Sequence, residues 1–250
     1  MVPYKLRVIR ELNRWYTFVL KLTGYYTPNA SKVFLFHDIV DNISDVKSPF
    51  AISLNSFKVF LLFQISIGNH SITFIELTNM ILQKEKKRNN TFIVTFDDAN
   101  ESVYTKAYPF LKLYNIPFIV FITKELIGKP DFLSKEQIIK LSKDNLCTIA
   151  SHGCHHSMFR YLSEQEVENE LIESKFFLQK LLNKPVECFA FPYGRFVECS
   201  LKNVKQLKRS DYLFSFSAIA GTLKQSWFSS LYFLPRINVD ERLVLKVKRK

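Results

Sequence analysis

Three of the chain's five histidines, His152, His155 and His156, fall within the ten residues ASHGCHHSMF at 150–159. His152 and His156 stand four apart, so a helical turn or a tight loop can bring both imidazoles to one ion. His155 then points elsewhere. Cys154 offers a softer ligand, but it would fill a position that metal catalysis needs open. The other groups with acid–base capacity are distant in sequence and share a context: each follows an apolar run. His37 and Asp38 follow KVFLF, Asp97 and Asp98 follow TFIVTF, and Pro192 and Tyr193 follow CFAF. One carboxylate and two imidazoles suffice for Zn²⁺ or a similar borderline metal, with positions left for water. Two adjacent aspartates can divide the labour, one binding metal and one acting as base toward water. Alternatively, both coordinate, or one caps a helix.

The runs that precede these groups read as strands, and helices separate them. Strands are expected at 32–40, 89–100, 116–123, 147–152, 186–194, 212–218 and 233–239, from aromatic and β-branched composition. Helices are expected at 55–67, capped by Ser53 or Asn55, and at 101–114 and 196–209. Three more carry capping-box pairs: 74–84 with Thr73 and Glu76, 134–143 with Ser134 and Gln137, and 163–182 with Ser163 and Glu166. This alternation argues a parallel α/β architecture, and about seven β-units suit a barrel better than an open sheet. The candidate residues then sit at the C-terminal strand ends, where α/β barrels place their active sites. A basic amphipathic helix is expected over 4–22, packed on the domain rather than on a membrane. It sets 1–30 apart from a single domain at 31–240, with a solvated basic tail at 241–250.

The 250 residues, 47% hydrophobic and 23% charged, can bury a sizeable core. The net charge of +12 allows acidic partners. No zinc-finger spacing, aromatic RNP pattern or glycine-rich clamp accompanies it, so nucleic acid is not an expected partner. The four cysteines form no C-x-x-C pair and read as reduced thiols. No run of about 18 apolar residues suggests a membrane span. No signal-peptide pattern is visible either. His70 receives no role.

TFDDAN at 95–100, SHGCHH at 151–156 and FPYG at 191–194 occur in an order and spacing that resemble the polysaccharide deacetylases of the NodB-homology class, carbohydrate esterase family 4. The resemblance runs from about Lys32 to Val239. It takes in HDI after the first run, YPFLKLYNIPFIVFIT, LSEQEVENELIESK and LPRINV. It implies a distorted (β/α) barrel that hydrolyses N-acetyl, or less often O-acetyl, groups on a carbohydrate. Asp97 would be the general base. Asp98, His152 and His156 would hold the divalent metal, Zn²⁺ first, with Co²⁺ or Ni²⁺ as alternatives. Pro192 would shape the turn on the substrate side, and the Tyr193 N–H would help hold the oxyanion.

The chain also departs from the family pattern. No histidine follows His156, so the usual C-terminal Leu-x-His motif is absent. Ala190 stands where an arginine usually precedes the Pro-Tyr-Gly turn, and Ala99 where a glycine usually follows Asp-Asp. A branch resembling the poly-N-acetylglucosamine deacetylases shares the FPYG turn and carries a histidine on the first strand. On that likeness His37 is the expected general acid, tuned by Asp38 or another carboxylate, and Arg236 is a candidate replacement partner for Asp97. The expected setting is bacterial surface-polysaccharide synthesis, cytoplasmic or associated with the inner membrane, with a possible lipid-linked sugar. Action on finished polymer in the cell envelope is the alternative. An inactive barrel that binds glycan or a partner protein is the rival reading.

Overall fold

A computed structural model describes residues 29–45, 48–82, 89–199, 203–223 and 231–247. The helix expected over 4–22 lies outside them. The main sheet is parallel throughout. In spatial order it comprises β10 (Ile237–Asn238), β1 (Lys32–Phe36), β5 (Thr91–Phe96), β6 (Phe118–Ile122), β7 (Cys147–Ser151), β8 (Cys188–Ala190) and β9 (Phe214–Phe216), with β4 (His70–Ser71) added against β5. The register sets Phe34 beside both Val94 and Ile237. The last segment closes the ring: Leu234 bridges Phe216 of β9, while Ile237 pairs with β1 three residues later.

Strand alternation divides the core in two. Phe34, Phe36, Phe92, Val94, Phe96 and Phe118 pack in the larger cluster with helix residues. Val33, Ile93, Ile119, Phe121, Ala150 and Phe216 form a second cluster, lined mainly by the opposite parity of the same strands. Helix α1 (Leu54–Ser66) is capped by Ser53. α2 (Phe74–Ile81), α4 (Lys135–Ser142) and α5 (Glu164–Leu182) each open with the complete capping box that the sequence predicts. Capping fixes where each helix starts, and so how long the preceding strand-end loop is.

Four expectations need correction. The run 32–40 is not one strand: it breaks at His37, and β2 (Asp38–Val40) leaves the barrel to pair with β3 (Ala51–Ser53). Over 101–114, a π-helical turn at Val103–Ala107 precedes a short α3 (Tyr108–Leu113). Pro109 lacks an N–H to continue the i→i−4 ladder, which accounts for the change of register there. The helix expected at 196–209 is reduced to α6 (Val204–Arg209). The segment set apart as a solvated tail begins with α7 (Glu241–Val247), whose Glu241 and Val244 are buried. Apolar Leu243 and Val244 pack into the larger core, a one-helix-turn pattern too short to stand out beside the lysines that follow. Among the described residues, no helix is long and apolar enough to cross a membrane.

Glu241 accepts the Ser53 N–H at 2.8 Å, tying α7 to the start of α1. Replacing Glu241 with Ala strands that buried donor. A loss of about 1–3 kcal/mol in urea unfolding is expected, and an unchanged midpoint would refute this role of α7.

Candidate metal and active site

The site follows from the strand parity. Val33 and Leu35 lead to His37, Ile93 and Thr95 to Asp97, and Ala150 to His152, so all three polar residues cap the inward-facing rows. Asp98 and His156 reach the same place from the loops that follow. Asp98 Oδ1 lies 3.0 Å from His156 Nε2 and 3.4 Å from His152 Nε2. The His152 Nδ1 stands 2.8 Å from the Ala190 carbonyl. A carbonyl can only accept, so Nδ1 carries the proton and the Nε2 lone pair faces Asp98. Asp98 Oδ1 is buried and accepts no hydrogen bond among the described residues. A buried carboxylate oxygen facing two imidazole nitrogens at this spacing is a donor set suited to a cation.

These loops take unusual backbone. Asp98 has φ 65°, Ala99 65°, His156 57° and Tyr193 61°, all left-handed. The turn after β8 needs Gly194, at φ 65°, because a Cβ there would stand 2.6 Å from the Ala218 backbone nitrogen. Pro192 is buried in this turn, and its carbonyl accepts the Gly194 N–H at 2.7 Å. The turn lays the half-exposed Tyr193 ring against His156, with centroids 4.7 Å apart. The Tyr193 N–H donates to no acceptor among the described residues.

Asp97 has a different partner from its neighbour. Arg236 donates two bonds to it, Nη1 to Oδ1 and Nη2 to Oδ2, both at 2.7 Å. Arg236 is fully buried, donates Nε–H to the Ser217 carbonyl at 2.8 Å, and has its guanidinium over the Phe121 ring. Burial pushes the Asp97 carboxyl up, but the Arg236 guanidinium and the His152 ring outweigh it and hold the group below the usual carboxylate range. Burial likewise pushes the Asp98 carboxyl up, and the His152 and His156 rings outweigh it and hold it below the usual carboxylate range. For His152 burial favours the neutral ring, yet Asp97 and Asp98 raise its pKa overall.

His37 sits at the break between β1 and β2 against Phe50, with ring centroids 5.0 Å apart. Its Nδ1 is buried without a hydrogen-bond partner among the described residues. Burial lowers its pKa, opposed by the charges of Asp97 and Asp98. Asp38 is turned away to accept the Ser102 hydroxyl at 2.7 Å, so the carboxylates that act on His37 are the two aspartates of the site. His155 is tied down rather than idle: its Nδ1 stands 2.5 Å from Glu170 Oε1 and its Nε2 3.1 Å from Glu125 Oε1. Glu170 escaped the sequence reading because it is one of several glutamates in α5; its helical offset from buried Val167, Leu171 and Ser174 was the available signal. His70 is exposed at β4, paired with Thr91 at the start of β5 and so at the other end of that strand from Asp97 and Asp98.

The profile of the polysaccharide deacetylase family matches residues 83–210, about half the chain, and spans Asp97, Asp98, His152, His156 and Tyr193. The chain belongs to the polysaccharide deacetylase family. A poly-β-1,6-N-acetyl-D-glucosamine N-deacetylase of Staphylococcus aureus (strain MSSA476) is 28% identical over 190 residues, covering 70% of this chain and 64% of the relative. The chain spans 60–64% of the length of the first curated relatives it matches. Among solved structures, the Streptococcus pyogenes deacetylase PplD in complex with acetate superposes with a TM-score of 0.77 at 21% identity, covering 89% of this chain and 98% of that one. IcaB from Ammonifex degensii gives 0.76 at 21%, covering 90% and 97%. These likenesses establish the deacetylase barrel fold for this member.

The buried ion pair generates a stability prediction. Arg236→Met leaves Asp97 as an uncompensated buried charge, and a loss of about 3–5 kcal/mol at pH 7 is expected in chemical denaturation. A variant as stable as the parent protein would show that the pair contributes nothing.

Proposed function

We propose that this deacetylase-family chain is a metal-dependent hydrolase that removes N-acetyl, or O-acetyl, groups from a carbohydrate in bacterial surface-polysaccharide synthesis. The observation that carries the reading is one carboxylate and two imidazoles converging at the strand ends, with a second carboxylate held ionised beside them. Asp98, His152 and His156 would hold the ion, Zn²⁺ first, with Co²⁺ or Ni²⁺ as alternatives. Such an ion supplies Lewis-acid polarisation and lowers the pKa of water.

The residues of the chain divide the remaining work. Asp97, kept ionised by Arg236, accepts a proton from the attacking water. Both its oxygens are already oriented by the guanidinium, so it meets the water without reorganising. The Tyr193 N–H is free to donate to the acetyl oxygen as negative charge develops there. His37, across the site near Asp97 and Asp98, donates the proton that the departing amine needs.

The S. aureus relatives make poly-β-1,6-N-acetylglucosamine the first substrate to try. The net charge of +12 supports peripheral contact with an anionic membrane or a lipid-linked sugar, at the cytoplasmic face or in the cell envelope. The intact ligand set and base weigh against an inactive barrel.

Acetate release from N-acetylglucosamine oligomers tests the assignment. Asp97→Asn is expected to lower turnover by about 10²–10⁴-fold while Zn²⁺ binding persists. His37→Ala is expected to lose about 10²-fold on the amide and far less on a nitrophenyl acetate, whose leaving group needs no proton. Full amide turnover by either variant would sink its assigned role. Activity that survives complete metal removal would sink the metal-dependent reading.

A further inference from the structure

His156 approaches Asp98 from a loop without regular secondary structure. Gly153 has φ 83° and His156 φ 57°, and the stretch between them belongs to no strand or helix. Yet every polar backbone group from the Gly153 N–H to the His155 N–H is occupied. The Gly153 N–H donates to Ser151 Oγ at 3.2 Å. The Gly153 and Cys154 carbonyls accept the Lys124 and Glu125 N–H groups at 3.1 and 3.0 Å. The remaining two donors, the N–H groups of Cys154 and His155, both go to Glu170 Oε2, at 2.6 and 3.2 Å.

Glu170 is 5% exposed and projects from α5. Its other oxygen takes the His155 Nδ1–H, so a buried carboxylate meets three N–H donors. An acceptor-only group satisfies all of them, which compensates its burial. Gly153 makes room for it: a Cβ there would stand 2.7 Å from Glu170 Oε2. Cys154, His155 and Glu170 also lie close enough to suggest a second metal centre. That alternative fails on chemistry. The Glu170 oxygens are engaged by the Cys154 and His155 hydrogens, and the buried Cys154 thiol is turned to the Glu170 carbonyl at 3.8 Å.

We infer that Glu170 is the positioning residue of the metal centre: its buried carboxylate clamps the Cys154 and His155 N–H groups and so sets the turn that aims His156 at Asp98. The inference rests on Asp98, His152 and His156 being the metal ligands. Glu170 touches neither ion nor substrate and acts through the loop. His155, whose two ring nitrogens bridge Glu170 and Glu125, locks the clamp from the solvent side.

The test uses the full chain with Glu170→Ala, Glu170→Gln, Gly153→Ala and, as control, Glu173→Ala on the exposed face of α5. Zn²⁺ affinity is read by competition with a chromophoric chelator, and the Co²⁺ absorption spectrum reports ligand geometry. Amide hydrogen exchange is followed in the metal-free protein across 150–158, with the barrel strands as internal reference. Glu170→Ala is expected to weaken Zn²⁺ binding about 10–100-fold, alter the Co²⁺ spectrum and speed exchange in that loop alone. Glu170→Gln keeps an acceptor oxygen for the backbone and is expected to recover most of the affinity. Gly153→Ala crowds the carboxylate and also strains a φ of 83°, so it too is expected to weaken Zn²⁺ binding, and Glu170→Gln with its loop exchange decides the matter if Glu170→Ala does not fold. Parental affinity and loop protection in Glu170→Ala or Gly153→Ala would overturn the clamp while leaving the metal centre intact. Uniformly faster exchange over all strands, with no rescue by Gln, would reduce Glu170 to a general stabiliser. An unmodified chain that binds no Zn²⁺ would overturn the metal reading itself, and the clamp's purpose with it.

Discussion

The buried pairing of Arg236 with Asp97 is the constraint around which the top of the barrel is arranged. A guanidinium with no solvent exposure has lost its hydration, at a cost of several kcal/mol. Two 2.7 Å bonds to one carboxylate, a backbone carbonyl for Nε and an aromatic face beneath offset it. All of these partners belong to other elements: Asp97 follows β5, Ser217 follows β9, and Phe121 lies on β6. Arg236 itself sits between Leu234, which bridges to β9, and Ile237, which pairs with β1. Closing the ring and delivering the counter-charge to Asp97 are therefore one structural event. A barrel that failed to close would leave the carboxylate buried and unpaired.

A second constraint is visible in the backbone. Nine non-glycine residues among those described have positive φ. Five of them, Asn90, Asn115, Asp131, Asn183 and Asp211, lie outside the site and are Asn or Asp, which tolerate the left-handed region. The ones that do not, Ala99, His156 and Tyr193, all adjoin the candidate metal site. Each such position costs of order 1–3 kcal/mol and persists only where its surroundings over-determine it. The hydrogen-bonded stretch from Gly153 to His155 and the closely packed Gly194 turn provide that over-determination. Strain collects where side chains must point back over the barrel mouth, away from the direction in which their strands would carry them.

This division explains what could be read in the sequence. Strand runs and capping boxes are local, so β1, β5 to β8 and the starts of α2, α4 and α5 were legible to within a few residues. The placement of His37, Asp97 and His152 at strand ends followed from the same runs. What was not legible depends on distant partners. The break at His37 reflects β2 finding β3, and nothing in KVFLFHDIV announces it. The π-turn depends on Pro109 acting on residues before it. Helix α7 is held by Ser53 and the larger core, so its charge suggested a free tail. Glu170 lies on a helix rich in glutamate, and only its packing position separates it from the solvated ones. The tie between Arg236 and Asp97 spans 139 residues and could be stated only as a candidate.

Asp97 and Asp98 show how one dipeptide takes two different environments, which the proposed roles of base and ligand follow. Their intrinsic acidities are equal, and burial opposes ionisation of both. Strand parity sends Asp97 inward to a fixed guanidinium, which satisfies both its oxygens from one direction and leaves their other lone pairs for a mobile proton. Left-handed backbone turns Asp98 outward to two imidazole nitrogens, one of which is pinned as a lone-pair donor by the Ala190 carbonyl. A permanent cation suits a base, because its charge does not change as the proton arrives. Neutral donors suit a ligand, because they leave the positive charge to be supplied by an ion. Exchanging the two environments would exchange the proposed roles, so the proposed division into base and ligand rests on the partners and the backbone rather than on the two identical side chains.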